Sequence, residues 1–94
     1  MKKYQQLAKE IIQGLGGKEN VNSAVHCATR LRFDLKNPDT ANLEELKQID
    51  GVVGVNPTPT QLQVIIGSHV GDVFEEVIHQ GVVNGDAEGK TETT

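Results

Sequence analysis

The chain has 94 residues, 36% of them apolar, with two Phe, one Tyr and no Trp, which suits one small domain built around a single modest core. Its formal charge of −4 excludes a broad nucleic-acid footprint, which needs a basic surface excess. The lone cysteine excludes an internal disulfide, no run approaches the roughly 18 apolar residues of a membrane span, and the opening MKKYQQLAKE lacks a signal peptide's apolar segment, so a reducing, cytoplasmic setting is expected.

In chain order, Tyr4, Leu7, Ala8, Ile11, Ile12 and Leu15 recur at the three-and-four spacing of one helical stripe, and Gly16 and Gly17 supply its stop. From Val21 the pattern alternates, which puts Val21, Val25 and Cys27 on one side of a strand and Asn22, Ala24 and His26 on the other. Thr29 opens a second alternating run. There Leu31, Phe33 and Leu35 share one face, while Arg30, Arg32, Asp34 and Lys36 share the opposite one, so a hairpin with Cys27, Ala28 and Thr29 near its turn is expected.

Asn37-Pro38-Asp39 breaks that strand, and Asn42 followed three positions later by Glu45 resembles a capping box that opens a short helix carrying Leu43, Leu46 and Ile49. Residues 52 to 55 and 62 to 66 read as two further strands, joined by a connection whose Pro57 and Pro59 keep it out of any central strand. Val70, Val73, Phe74, Val77 and Ile78 mark one face of a last helix, with Ser68 as its expected cap. After residue 80 the segment GVVNGDAEGKTETT is too polar to pack beyond its two valines and reads as a linker or tail, residues 81–94. The order αββαββα predicts an α+β two-layer sandwich: a four-stranded antiparallel sheet with three helices on one face, domain 1–80. Its other face is then open to water or a partner, and Arg30 and Arg32 project there.

Cys27 is the residue on which function turns. A free cysteine is commonly a small buried hydrophobe. Here it lies where a strand yields to a turn, beside His26 and just before Thr29 and two arginines. With an ordinary pKa near 8.5 it is only about 3% thiolate at pH 7, and lowering that value by two units takes roughly 2.7 kcal/mol of differential stabilisation, within reach of nearby cations and backbone donors. At about 3.3 Å per residue, Arg30 and Arg32 emerge roughly 6.6 Å apart on one face, near enough to share one multiply charged oxyanion. The bland alternative is a solvated strand face on which Asp34 and Lys36 pair with them. His26 points away from Cys27 if the strand continues through it, which leaves an orienting role as open as a chemical one.

Other chemistries fit less well. His26, Cys27, His69 and His79 lack a compact metal-ligand spacing, so no metal or cofactor is expected. The pair His26-Cys27 with downstream arginines resembles protein tyrosine phosphatases, but those place the arginine six residues after the cysteine at a phosphate-cradling loop. Here the intervals are three and five. GLGG at residues 14 to 17 follows no strand, so no nucleotide site is indicated.

The run HCATRLRF, after an amphipathic helix ending in LGG and the pair Asn20-Val21, resembles the phosphocysteine signature of a bacterial family: the B domain of enzyme II of the phosphoenolpyruvate-dependent sugar phosphotransferase system, glucose/β-glucoside/sucrose superfamily. The likeness extends to the short second helix, to GVVGV at 51 to 55 and to QVIIG at 63 to 67. The glucose branch often has an acid two positions before its cysteine. Val25 stands there in this chain, closer to the β-glucoside and sucrose branches.

The resemblance implies that Cys27 accepts a phosphoryl group from a phosphohistidine of an A domain and passes it to a sugar held by a membrane-embedded C domain. It also implies that Arg30 and Arg32 act in catalysis and that His26, Ala28, Thr29 and Gln63 contact the phosphoryl group. The isolated domain is expected to be a monomer at the cytoplasmic face of the membrane. The alternative is a non-catalytic module of the same fold that holds an anion or a partner on the Arg30/Arg32 face.

Overall fold

The computed structural model describes residues 2–85. The first helix, α1 (Lys2–Gly14), forms on the expected stripe and buries Ala8, Ile11 and Ile12, with Leu15 buried just past its end. Its end is a Schellman turn: the Gly17 amide donates to the Ile12 carbonyl at 2.9 Å and the Gly16 amide to Gln13 at 3.1 Å. Gly16 has φ +105°, a conformation that costs a residue with a Cβ, so the double glycine is a requirement of this exit.

A single 3₁₀ turn at Lys18–Asn20 leads into β1 (Val21–His26), which pairs antiparallel with β2 (Arg30–Leu35). After a second 3₁₀ turn at Pro38–Thr40 comes α2 (Leu43–Gln48), followed by β3 (Gly54–Pro57), β4 (Leu62–Ile65) and α3 (Val70–His79). The sheet order is β1-β2-β4-β3, with every neighbouring pair antiparallel. The architecture is the expected α+β sandwich. Leu31, Phe33 and Val64 from the sheet, Ile11 from α1 and Leu15 from the turn after it, Leu46 from α2, and Val73 and Val77 from α3 form one fully buried core.

Four local expectations are corrected. The face assignment of β1 holds for Ala24 and His26 against Val25 and Cys27 but fails at Val21: the register shifts between Val21 and Ser23, and the irregularity turns Val21 into the core beside Ala24, while Val25 lies half-buried opposite Arg32 on the outer face. His26 pairs with Leu31 and rests on Phe74 of α3, with ring centroids 4.6 Å apart. Ser68 does not cap α3, whose N-cap is His69 with no side-chain bond. The third strand starts two residues later than expected and ends on Pro57, which the outer edge of a sheet tolerates.

The fourth concerns the boundary at residue 80, which falls too early. Val82 is buried, and the Ala24 amide donates to the Val83 carbonyl at 2.9 Å, so the chain past α3 lies along the free edge of β1. The remainder of the expected linker, residues 86–94, lies outside the described residues.

The capping expectation at α2 holds in half. Asn42 Oδ1 accepts from the Glu45 amide at 3.0 Å, but the Asn42 amide donates to the Gly14 carbonyl at 2.8 Å instead of to Glu45. That bond fastens α2 to the end of α1. A second fastening is Asn20, buried before β1. Its Nδ2 donates to the carbonyls of Leu15 (2.9 Å) and Asn37 (3.0 Å), and its Oδ1 accepts from the Asn37 amide at 2.9 Å. Asn20→Ala removes three side-chain bonds and leaves the buried Leu15 carbonyl without its Asn20 donor, whereas the Asn37 carbonyl still accepts from the Thr40 amide; the change is expected to cost about 1–3 kcal/mol, seen as a lowered urea midpoint. An unchanged midpoint would show that the Asn20 bonds add nothing net.

Candidate functional site

The β1–β2 hairpin tip is held from both sides. Within it, the Cys27 amide donates to the Arg30 carbonyl at 3.0 Å. From across the sheet, the amides of Ile66 and Gly67 donate to the Thr29 carbonyl at 2.8 and 2.9 Å. Gly67 adopts φ +98°, and this left-handed step at the end of β4 lets the chain turn towards α3 while both amides still face the tip. His26 Nδ1 lies 2.9 Å from the Cys27 carbonyl oxygen, so the imidazole braces the turn from the helix side of the sheet. The position of Cys27 therefore rests on backbone bonds to β2 and β4 and on a ring packed against α3.

Within this frame Cys27 is half-buried, and Ala28 and Thr29 are exposed. The amides of Thr29 and then Arg30 donate to the sulfur, and the Arg32 guanidinium adds a hydrogen bond and its charge. Together they outweigh the upward push of partial burial and bring the thiol down to about 7. A half-buried sulfur ringed by donors at an accessible tip is a nucleophile at neutral pH. It is also a site where a second anion, such as a phosphoryl group, meets positive charge and amide dipoles.

The two arginines behave differently. Arg32 turns its guanidinium to the sulfur, and its Nε is buried without a hydrogen-bond partner. Arg30 reaches the sulfur only through its backbone amide, while its Nη1 donates to Gln63 Oε1 at 2.8 Å. Among the described residues neither guanidinium is paired with Asp34, which instead accepts from Asn22 Nδ2 at 3.4 Å. The solvated-row alternative is thus not the arrangement adopted. Arg30→Ala keeps the amide, so the pH at which iodoacetamide alkylates Cys27 half-maximally is expected to stay put, whereas Arg32→Ala raises it. Equal shifts in the two variants would contradict this division.

Of the residues expected at the site, Cys27, Ala28, Thr29, Arg30 and Arg32 gather at the tip, and Gln63 joins through its bond to Arg30. His26 does not share their face: it lies on Phe74 and touches the site through the Cys27 carbonyl. Two neighbours were missed. Asn56 Nδ2 donates to Gln63 Oε1 at 3.3 Å, and Gln63 Nε2 donates to Gln61 Oε1 at 3.2 Å. Gln61 and Gln63 share the outward side of one alternating run, which was a usable signal. Asn56 becomes a neighbour only once the β3–β4 register is known.

Known proteins share this architecture. The family model described as phosphotransferase system, EIIB matches residues 9–42, which include the whole hairpin. The crystal structure of one domain of the phosphotransferase system IIabc component from Clostridium difficile superposes with a TM-score of 0.82 at 37% identity, covering 87% of this chain and 86% of that one. The chain belongs to the phosphotransferase system EIIB family. Among its EIIB relatives, the β-glucoside-specific EIIBCA component of Halalkalibacterium halodurans is 54% identical over 90 residues, 96% of this chain and 14% of that protein. The sucrose-specific EIIBC component of Bacillus subtilis is 42% identical over 73 residues, 77% of this chain and 16% of that protein. The chain thus spans only a small part of the length of these relatives. No helix among the described residues is long and apolar enough to cross a membrane.

Proposed function

We propose that this EIIB chain is a phosphocarrier in which Cys27 takes a phosphoryl group from a phosphohistidine of an A domain and hands it to a sugar bound by a C domain. The observation that carries the reading is the sulfur at the exposed hairpin tip, facing the amides of Thr29 and Arg30 and the guanidinium of Arg32. The EIIBCA relative joins B to both an A and a C part and the EIIBC relative to a C part, which supports these partners, and their names point to a β-glucoside or sucrose type of system.

In the first step the Cys27 thiolate attacks phosphorus. The S–P bond forms as the P–N bond breaks, and the leaving imidazole nitrogen keeps the electron pair and takes up a proton. In the second step a sugar hydroxyl oxygen attacks phosphorus, the S–P bond breaks, and its electron pair returns to sulfur as the thiolate. The hydroxyl proton leaves to a base on the acceptor side. Sulfur suits both steps because its anion is both a strong nucleophile and a good leaving group. Charge in each transition state spreads over the equatorial oxygens of the transferring group, which Arg32, Arg30 and the amides of the turn stabilise. Arginine holds its charge throughout, and the exposure of Ala28 and Thr29 lets two large partners reach the same sulfur in turn.

The test is incubation with phosphoenolpyruvate, the general carrier proteins and a β-glucoside-type A domain, followed by mass spectrometry. One added phosphoryl group, mapped to Cys27, is expected. Persistent absence of the adduct with several donors would leave an anion- or partner-binding module as the better reading.

A further inference from the structure

The amides of Asn56, Gln61 and Gln63 form a short chain on the outer face of the sheet, ending on Arg30. The guanidinium offers only donors, so the side of the Gln63 amide that faces it must be the carbonyl. A side-chain amide can present either end to a neighbour, and a reversed Gln63 would set N–H against N–H and push the guanidinium away. What holds the correct end in place is the surroundings. Gln61 Oε1 accepts from Gln63 Nε2 at 3.2 Å, and Asn56 Nδ2 donates to Gln63 Oε1 at 3.3 Å. Each of these bonds is lost or turned repulsive if Gln63 flips.

Register makes the arrangement possible. Gln63 pairs with Arg32 on one side and Asn56 on the other, so the three side chains form one row across β2, β4 and β3, with Arg30 one step along the same face. We propose that Asn56 and Gln61 are positioning residues for phosphoryl transfer: they fix the polarity of the Gln63 amide, and Gln63 in turn holds the Arg30 guanidinium ready for the phosphoryl oxygens. The inference rests on the phosphocarrier reading of the site. One donor of Arg30 is spent on Gln63, and its remaining N–H groups are free for the incoming group. Fixing a long side chain beforehand removes ordering and reorganisation from the transfer step.

The test uses the full chain carrying Asn56→Leu with Gln61→Met, two exposed or half-buried positions whose substitution leaves the core untouched. Transfer from the phosphorylated A domain to Cys27 is expected to slow five- to tenfold, while the pH of half-maximal alkylation of Cys27 stays where it is. The groups that lower that thiol's pKa are the Thr29 and Arg30 amides and the Arg32 guanidinium, so a general distortion of the tip would move both readouts and a positioning effect on the Arg30 side chain only the first. In an Arg30→Gln background the same two substitutions are expected to change transfer less than twofold, because the group they position is gone. Unchanged transfer in the double variant, an equal slowing in the Arg30→Gln background, or a shifted alkylation profile would each overturn the proposal. A wild-type chain that takes no phosphoryl group at all would instead remove the reading of the site on which it rests.

Discussion

Replacing Cys27 with serine is expected to abolish phosphoryl uptake and every downstream step while leaving the fold intact. The two side chains differ by one atom, and the thiol is half-buried at a solvent-facing tip outside the hydrophobic core, so little packing changes. The chemistry changes much more. The surroundings bring the thiol to about 7, so roughly half of it is anionic at neutral pH. A serine hydroxyl among the same donors stays protonated, because the amides and Arg32 stabilise an anion that the alcohol does not provide. Mass spectrometry should find no phosphoryl adduct on Cys27→Ser, and sugar phosphorylation by the reconstituted system should fall to background. A retained adduct would place the acceptor on another residue.

Arg32→Gln is the second large effect, expected to slow transfer by on the order of 10²–10³, the usual cost of removing one preorganised donor from developing negative charge. Two losses combine. The thiol pKa rises when the guanidinium's hydrogen bond and charge go, though it stays below its ordinary value because the Thr29 and Arg30 amides remain. The spreading charge of the transition state also loses a cation. These separate experimentally: raising the pH restores the thiolate and recovers only the first part, so a deficit that persists at high pH measures the second. Complete recovery at high pH would reduce Arg32 to a tuner of thiol acidity. Arg32 projects from the outer face between Val25 and Gln63, so circular dichroism and the urea midpoint are expected to change little.

Where a single period runs unbroken, the fold was legible. The stripe of α1, the Leu31–Phe33 face of β2 and the Val73–Val77 face of α3 carry their burial in their spacing, and the glycines at 16 and 17 announced the exit of α1. Legibility failed where one backbone irregularity intervenes. An alternating pattern assumes a uniform pleat, and the register shift between Val21 and Ser23 brings Val21 into the core on the side of Ala24, away from Val25 with which alternation had grouped it. The valines after α3 found a place because the edge of β1 offers the Ala24 amide, a partner that no local composition reveals.

The same division runs through the site. Cys27, Thr29, Arg30 and Arg32 are close in sequence and were visible together. The different tasks of the two arginines, the anchoring of Thr29 by Ile66 and Gly67, and the Asn56–Gln63–Gln61 chain arise from the pairing of β2 with β4 and of β4 with β3, which alternation alone does not specify.

The most direct test of the central claim, that the hairpin tip holds Cys27 as a sulfur anion near neutrality, is the rate of alkylation of the wild-type thiol by iodoacetamide as a function of pH. The group's folded pKa is depressed, so reactivity should be low in acid, reach half its maximum near pH 7 and level off above it. A rate that keeps climbing through about pH 8.5, as for an unperturbed thiol, would contradict the account.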